Sequence, residues 1–320
     1  MKHHYHLIIN SNAGSGNGAK IGKQLIDILE NRKEEFTTYF TKYAGNEVEI
    51  IHEIAPTKLM EWHEGLQVET FPLLVVLGGD GTLHQVLNAL ENYSTKIPVA
   101  YVPSGSGNDF ARGVGISRTT KEAFLQILET DSPQEINMID FDERVSNHHG
   151  LVINNLGIGI DASIVAATND SATKKTLNKY KLGSLAYVLS VLKVIFTQKG
   201  FPVLIEVNGK EYSFKKAFLC TTTNHPYFGG GVPVAPGADP RKDSLDLVLI
   251  ERLNIFILFY LLIQIFRKKH LNSRFVYHFE SNKLRLISTT PQFAQTDGET
   301  IDKQPYDLYF TTNKRYIWFK

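Results

Sequence analysis

LLVVLGGDGT, residues 73–82, is the stretch that decides the fold of the first half of the chain. Its leading apolar residues show no polar alternation, which is typical of a strand buried on both faces of a parallel sheet. Apolar residues then recur at the spacing of one helix face, at Leu83, Val86, Leu87 and Leu90. The stretch therefore predicts a strand, a glycine turn and a helix in succession.

The glycine turn of this stretch is a candidate anion site. Backbone N–H groups and the positive end of a helix dipole meet where the strand ends. The glycines let a phosphate approach the backbone, and the carboxylate of Asp80 could hold Mg²⁺ or position a phosphoryl group. The alternative is an ordinary turn with an aspartate cap, and the motif alone leaves both interpretations open.

The composition is that of an ordinary globular protein. The 320 residues suffice for two domains, and 42% hydrophobic residues with a net charge of +1 show no bias towards nucleic acid. The single cysteine, Cys220, cannot form an internal disulfide, which suits a reducing compartment. Its apolar surroundings in the sequence favour a buried structural thiol over a nucleophile.

The N-terminus lacks the apolar core of a signal peptide. The longest apolar run, Ile255 to Phe266, is shorter than the roughly 20 residues of a membrane-spanning helix. A buried or interfacial helix is predicted instead. The cationic residues after it, 267–270, suit either the negative end of the helix dipole or an anionic lipid surface.

The first 134 residues alternate between predicted strands and helices. The predicted strands are Tyr5–Ile9, Thr37–Thr41, Glu47–Ile54 (as a strand or extended segment), Leu73–Leu77 and Pro98–Val102. Four helices are predicted. The first has Ile21, Leu25, Ile28 and Leu29 on one face, the second spans Thr57–Leu66, the third follows the GGDGT turn, and the fourth spans Lys121–Glu129.

Two further glycine loops follow strands in this region. Residues 104–110 read SGSGNDF, and since the carboxyl ends of parallel strands meet at one edge, this loop and GGDGT are expected to line one crevice. The first loop spans residues 10–18, and residues 14–19 formally fit the dinucleotide pattern G-x-G-x-x-A. No acidic residue that would bind a ribose ends the next strand, so a Rossmann cofactor is not predicted.

From residue 135 onward the pattern predicts mostly antiparallel strands. They are Met138–Phe141, Leu151–Asn155, Val203–Val207, Ala217–Thr223, Leu245–Glu251, Phe275–Phe279, Leu284–Ile287, Leu308–Thr311 and Tyr316–Phe319, with a hairpin turn at Asn208-Gly209. Helices are predicted at Ser184–Thr197 and Asn254–Lys269. The lysine-bearing segment 162–181 suits a solvated face or an anionic membrane contact. Domains of residues 1–134 and 135–320 are expected.

Six segments, in order, resemble those of diacylglycerol-kinase-type lipid kinases. The GGDGT signature of these enzymes is shared by sphingosine, ceramide and NAD kinases and, more distantly, by phosphofructokinases. The six segments are the loop 10–18, with Ser11 where proline is usual, GGDGT, the GSGND of residues 105–109, the N-x-x-G-x-G-x-D-A of residues 154–162, the AP…DSL of residues 235–245, and the DGE of residues 297–299. The resemblance implies a Rossmann-like α/β domain, like that of NAD kinase and phosphofructokinase, then a mostly antiparallel β-sandwich domain. The C-terminal strands would pack back on the first domain.

The resemblance also implies ATP and Mg²⁺ as cofactors and assigns residues to their binding. The nucleotide residues would be Asn10, Asn12, Gly14, Gly16, Thr41, Gly78, Gly79, Asp80, Gly81, Thr82, Ser106, Asn108 and Asp109. Asp80 would act on Mg²⁺ or the phosphoryl group, and Glu299 would accept the proton of the acceptor hydroxyl. A structural Mg²⁺ would be held by the Asp243 carboxylate and the carbonyls of Pro240 and Leu245.

The expected function is therefore that of an ATP-dependent kinase of a lipid hydroxyl, cytoplasmic and peripherally bound at a membrane surface, with a homodimer as a further expectation. One alternative is a kinase of a soluble acceptor such as NAD. A second is a catalytically silent lipid or nucleotide binder, which Ser11, Lys242 and Ser244 keep open as departures from the family pattern. The acceptor is open among diacylglycerol, a monoacylglycerol, a sphingoid base and a polyprenol.

Overall fold

The computed structural model describes residues 1–160, 162–164 and 194–320. Its strands are β1 Lys2–Ile9, β2 Glu35–Phe40, β3 Thr70–Gly78, β4 Val99–Pro103, β5 Gln134–Glu143, β6 His148–Val152, β7 Asn155–Gly159, β8 Phe201–Val207, β9 Lys210–Thr223, β10 Leu245–Glu251, β11 Val276–Ser281, β12 Lys283–Thr296 and β13 Glu299–Ile317. The helices whose two ends are both described are α1 Ala13–Gly16, α2 Gly18–Arg32, α3 Asn46–Lys58, α4 Asp80–Leu90, α5 Asp109–Val114, α6 Thr120–Leu128 and α7 Ile255–Phe266.

The N-terminal domain is a parallel sheet in the order β2-β1-β3-β4 with helices on both faces. The apolar residues of β3 alternate between two cores, as burial on both faces requires. Leu74 and Val76 pack with α3 and α4, while Leu73 and Val75 pack with α2 and α6. Every one of these side chains is fully buried, so the carboxyl ends of the strands are held at one rigid edge.

The C-terminal half is built from antiparallel pairs. The β8–β9 hairpin turns at Asn208 and Gly209, both left-handed, which confirms the predicted turn. At its end β13 pairs in parallel with β4 through Ile317 and Val99, and the ring of Trp318 lies fully buried in the core of the first sheet. The predicted fold class, an α/β domain followed by a β-sandwich domain, is confirmed.

Two predicted elements were wrong, and two predicted strands lie within one continuous strand. Residues 47–54 lie within helix α3, whose buried side chains Ile50, Ile51 and Ile54 have helical spacing and face α4. Only the first two residues of the helix predicted at 57–66 are helical, because α3 ends at Lys58 and Leu59 is extended. The strand predicted at 308–311 and the first two residues of the one predicted at 316–319 belong to the long strand β13, which ends at Ile317.

Two other predictions fall largely outside the described residues: the helix at 184–197, of which residues 194–197 are helical, and the segment 162–181. Helix α7 confirms the helix predicted after Asn254, whose side chain accepts the N–H of Ile257 at 3.0 Å. Cys220 is buried in β9, as predicted. Within the described part of the chain, no helix has the length and hydropathy needed to cross a membrane.

Candidate functional site

Three predicted loops meet at the carboxyl edge of the parallel sheet. They follow β1, β3 and β4, and main-chain and side-chain hydrogen bonds join them. Ser104 N–H donates to the Gly78 carbonyl at 2.8 Å, and Asn10 Nδ2 donates to Thr82 Oγ1 at 2.7 Å. The crevice predicted from strand order is therefore formed, and buried strands fix its loops.

Glycines allow these loops to approach one another more closely than side chains would. A Cβ on Gly105 would lie 2.7 Å from the Cα of Gly79, and one on Gly14 would lie 2.8 Å from the Ser104 carbonyl oxygen. Gly14 is also left-handed, at φ +59°. The loops therefore form one surface rich in exposed backbone, which suits phosphate oxygens.

Asp80 joins the GGDGT turn to the following loop. Its carboxylate accepts the N–H of Asp109 at 2.9 Å and that of Phe110 at 3.3 Å, so it caps the N-terminus of α5. Burial raises the pKa of Asp80 to about 6, and the charges of Asp109 and Asp297 add to the shift, while the two N–H groups oppose it. The aspartate thus has a structural role together with the perturbed pKa of a functional carboxylate.

Asp109 lies beside Asp80 and has one oxygen without a donor. Its Oδ2 accepts the N–H of Gly230 at 2.6 Å, whereas Oδ1 is buried and accepts no hydrogen bond from the described residues. The Nε of Arg112 lies 4.0 Å from Oδ1. Burial raises the pKa of Asp109, against the Gly230 N–H and the charge of Arg112. An acceptor oxygen without a donor, on a carboxylate beside Asp80, fits a cation.

His84 and Asp297 form an ion pair that the sequence analysis missed. His84 Nδ1 lies 2.6 Å from Asp297 Oδ2, and the Asp297 side chain is 1% exposed. The same carboxylate accepts the backbone N–H groups of residues 153–155 at 2.7–3.1 Å. Burial opposes the imidazolium, but the hydrogen bond and charge of Asp297 outweigh it and raise the pKa of His84. The pair connects α4 of the first domain to the β12–β13 turn.

The other predicted residues lie on the crevice loops, after β2 and at the start of β13. Thr41 is buried, and its Oγ1 accepts the Ser11 N–H at 3.2 Å, which ties the first loop to the end of β2. Asn12 and Ser106 are exposed on the crevice loops. Glu299 is exposed at the start of β13 and accepts a hydrogen bond from Gln85 Nε2 at 3.3 Å. Asn108 is buried, is left-handed, and closes its own loop through Gly105.

A cavity of about 780 Å³ opens from the crevice into the C-terminal domain. Its polar end is lined by Asp80, Asp109 and Asp297. Its other walls are apolar and come from the β-sheet and from α7, including Phe218, Phe228, Ile250, Leu261 and Ile265. The site therefore joins an edge suited to an anion to a space suited to hydrocarbon.

Two of the oxygen ligands predicted for the structural metal, the Pro240 carbonyl and the Asp243 carboxylate, already accept hydrogen bonds. The Pro240 carbonyl accepts both the backbone N–H of Asn137 at 2.7 Å and its Nδ2 at 3.2 Å, and Nδ2 also donates to the Lys242 carbonyl at 2.9 Å. The exposed Asp243 accepts from Asn282 and Thr312. A carbonyl or carboxylate oxygen that accepts a hydrogen bond can still bind a cation, so this metal site stays a prediction. Among the described residues, no three His, Cys, Asp or Glu side chains are grouped to bind a metal ion.

Two family models match the chain in succession. The diacylglycerol kinase catalytic domain matches residues 4–140. The YegS C-terminal NAD kinase beta sandwich-like domain matches residues 155–313. The first match contains the glycine loops and Asp80, and the second contains Asp297 and the walls of the cavity.

Relatives and solved structures agree with these matches. The chain is 26% identical over 310 residues to the "Putative lipid kinase YtlR" of Bacillus subtilis (strain 168), covering 95% of this chain and 96% of the relative. It is 26% identical over 294 residues to the Diacylglycerol kinase of the same organism, covering 92% and 88%. The "putative diacylglycerol kinase from Bacillus anthracis str. Sterne" shares the fold, with a TM-score of 0.72, 22% identity, and 99% and 95% of the two chains covered.

Proposed function

The chain belongs to the family of diacylglycerol kinase catalytic domains, and we propose that it transfers the γ-phosphate of Mg·ATP to the hydroxyl of a lipid, most simply a diacylglycerol. One observation carries this proposal. The carboxylates of Asp80, Asp109 and Asp297 line the same cavity as apolar side chains of α7 and the β-sheet. A soluble acceptor would have no use for the apolar walls, whereas an acyl chain would fill them.

The crevice residues supply the nucleotide half of the proposal. Backbone N–H groups of the glycine loops would bind phosphate oxygens. Neighbouring carboxylates repel a bare triphosphate, so the nucleotide is expected as its magnesium complex. Asp80 and the open Oδ1 of Asp109 are the oxygens that would face the cation of that substrate.

The β12–β13 turn supplies the acceptor half. Asp297 and Gly298 line the cavity, and Glu299 is the next residue. In the proposed reaction the lipid oxygen forms a bond to the γ-phosphorus while the bond from that phosphorus to the β,γ-bridging oxygen breaks, and ADP leaves. Glu299 accepts the hydroxyl proton. The buried pair of His84 and Asp297 would hold the turn at α4.

The test is ATP-dependent phosphate transfer to a panel of acceptors: diacylglycerol, ceramide, sphingosine and undecaprenol in mixed micelles, and NAD in plain buffer. Phosphorylated product is identified by mass spectrometry for the wild type, Asp80→Asn, Glu299→Gln and the control Asp131→Asn, which changes an exposed aspartate. The proposal predicts a lipid phosphate from the wild type and the control alone. Transfer to NAD alone, or an unchanged rate in Asp80→Asn, would refute it.

A further inference from the structure

We propose that α7 is a membrane-docking helix whose outward aromatic face enters the headgroup boundary of an anionic bilayer. This inference rests on the proposed function, because a lipid acceptor must leave a bilayer to reach the cavity. It assigns the partner surface to one helix of the C-terminal domain, Ile255–Phe266, and to the cationic residues beside it.

The outward face of α7 is apolar and open to solvent. Phe256 is 82% exposed, Tyr260 51% and Ile263 58%, and their spacing of four and three residues puts them on one stripe. Phe266 is 62% exposed at the end of the helix. The helix contains no charged residue. Neighbouring large apolar side chains that all face water on one helix mark an interaction surface.

The other sides of the same helix belong to the cavity. Leu261 and Ile265 are buried, and they line the cavity together with Leu258, Phe259 and Leu262. One helix therefore separates the space proposed for the acyl chain from the exposed aromatic stripe. Docking that stripe on a bilayer would bring the cavity next to the lipids it is proposed to accept.

The charge around α7 selects an anionic partner. Residues 252–279 contain Arg252, Arg267, Lys268, Lys269 and Arg274 and no aspartate or glutamate, in a chain whose net charge is +1. Arg267, Lys268 and Lys269 are exposed directly after the helix. Cations within reach of a headgroup layer each favour binding to anionic lipid by about 1 kcal/mol.

The dimensions fit a helix that lies in the membrane plane. Twelve residues at the rise of an α-helix extend roughly 18 Å, which is too short for a hydrocarbon core of about 30 Å. An apolar face with cations at its margin is typical of interfacial helices. A second copy of the chain is a poorer occupant, because a two-fold interface would set this cationic region against itself.

The experiment measures vesicle binding of the full chain by sedimentation, using phosphatidylcholine vesicles with and without phosphatidylglycerol. Phe256→Ser/Ile263→Ser removes two stripe residues that do not line the cavity. Val145→Ser, at a site 55% exposed on the turn between β5 and β6, is the matched control. We expect the double variant to bind anionic vesicles about tenfold more weakly or worse, and the control to bind like the wild type. Arg267→Gln/Lys269→Gln should bind about thirtyfold more weakly, and on anionic vesicles only.

A second measurement reports insertion directly. In Tyr260→Trp, the new indole should shift its emission to the blue when anionic vesicles are added. Wild-type binding by the Phe256→Ser/Ile263→Ser variant, or an unshifted indole, would overturn the proposal. So would a change of that variant's oligomeric state with vesicle binding unaltered, since a second copy would then be the occupant.

These readouts do not depend on catalysis, so failure of the kinase proposal remains distinguishable. If no lipid is phosphorylated but the stripe variant loses vesicle binding, the docking surface stands without the reaction. If the wild type phosphorylates a dispersed short-chain diacylglycerol and the stripe variant does so equally, the cavity is intact in the variant. A loss confined to vesicle substrate then supports docking.

Discussion

Replacing Asp80 by asparagine should make the nucleotide-free protein more stable while it abolishes the proposed activity. The carboxylate is buried beside Asp109 and Asp297, and its pKa of about 6 lies above the ordinary value of 3.8. A raised carboxyl pKa means that the folded state disfavours the charge. A buried charge that lowers the stability of the folded protein is expected of a functional carboxylate and not of a helix cap selected for stability.

The magnitude follows from the pKa. A difference of about two units corresponds to about 3 kcal/mol between the charged and neutral forms. Asparagine resembles the neutral form, but its amide can accept from only one of the N–H groups of Asp109 and Phe110 without opposing the other, which costs about 1 kcal/mol. The expected net gain at neutral pH is therefore about 2 kcal/mol.

The raised pKa of Asp80 also predicts how the free energy of unfolding depends on pH. Between 3.8 and about 6 the folded state binds more protons at Asp80 than the unfolded state does, so the wild type loses stability as the pH rises through this window. Below 3.8 the cost disappears and the asparagine variant loses its advantage. Taking the difference between the two proteins removes titrations that they share.

The assay is guanidinium unfolding of the wild type, Asp80→Asn and Asp131→Asn at a series of pH values, without nucleotide. The difference between wild type and Asp80→Asn should grow from acid to neutral pH, and the exposed control should show no such growth. If Asp80→Asn were less stable than the wild type at neutral pH, the capping of α5 would outweigh the burial of charge, and the reasoning would be wrong.

Three further predictions concern the same crevice. Asp297→Ala should lower the free energy of unfolding by about 3–5 kcal/mol, because His84 and the N–H groups of residues 153–155 lose their acceptor. A value within about 1 kcal/mol of wild type, the net contribution of one hydrogen bond, would contradict this. Because the pKa of His84 is raised, its contribution to stability should be complete below pH 6.5 and lost as the pH rises through the folded-state pKa. His84→Gln should therefore remove this pH dependence from the unfolding free energy. A pH dependence that persists in the variant would refute the role given to His84. Gly105→Ala, whose Cβ would meet Gly79, should weaken ATP binding in a fluorescence titration by about tenfold. The control Gly237→Ala, whose Cβ would enter open space, should bind ATP like the wild type. Equal affinities of the two variants would count against the shared phosphate surface.

The parts of the fold that the sequence predicted correctly are those in which several local signals favour the same structure. The apolar run of β3 is short and ends in glycines, which favours a buried strand, and glycine loops after parallel strands meet at one edge. Helix α3 was missed because its β-branched residues, Val48, Ile50, Ile51 and Ile54, also suit a strand. Its packing against α4 decides the outcome, and that contact is not visible in the local sequence.

The site shows the same division. The glycine loops and Asp80 could be identified from local spacing, because phosphate binding at a strand end is a local property. His84 and Asp297 are 213 residues apart, and neither residue carries a local signal of the other. The hydrogen bonds from Asn137 to the carbonyls of Pro240 and Lys242 were equally invisible. Long-range pairs of this kind require the folded structure.

The central claim is that phosphate from ATP ends on a lipid hydroxyl at this crevice. The most direct measurement supplies γ-labelled Mg·ATP and diacylglycerol micelles, then counts the label on extracted lipid, on free phosphate and on remaining ATP. The account predicts that the wild type moves one label to lipid for each ATP consumed and that Asp80→Asn moves none. Label released as free phosphate without labelled lipid, or equal transfer by Asp80→Asn, would contradict it.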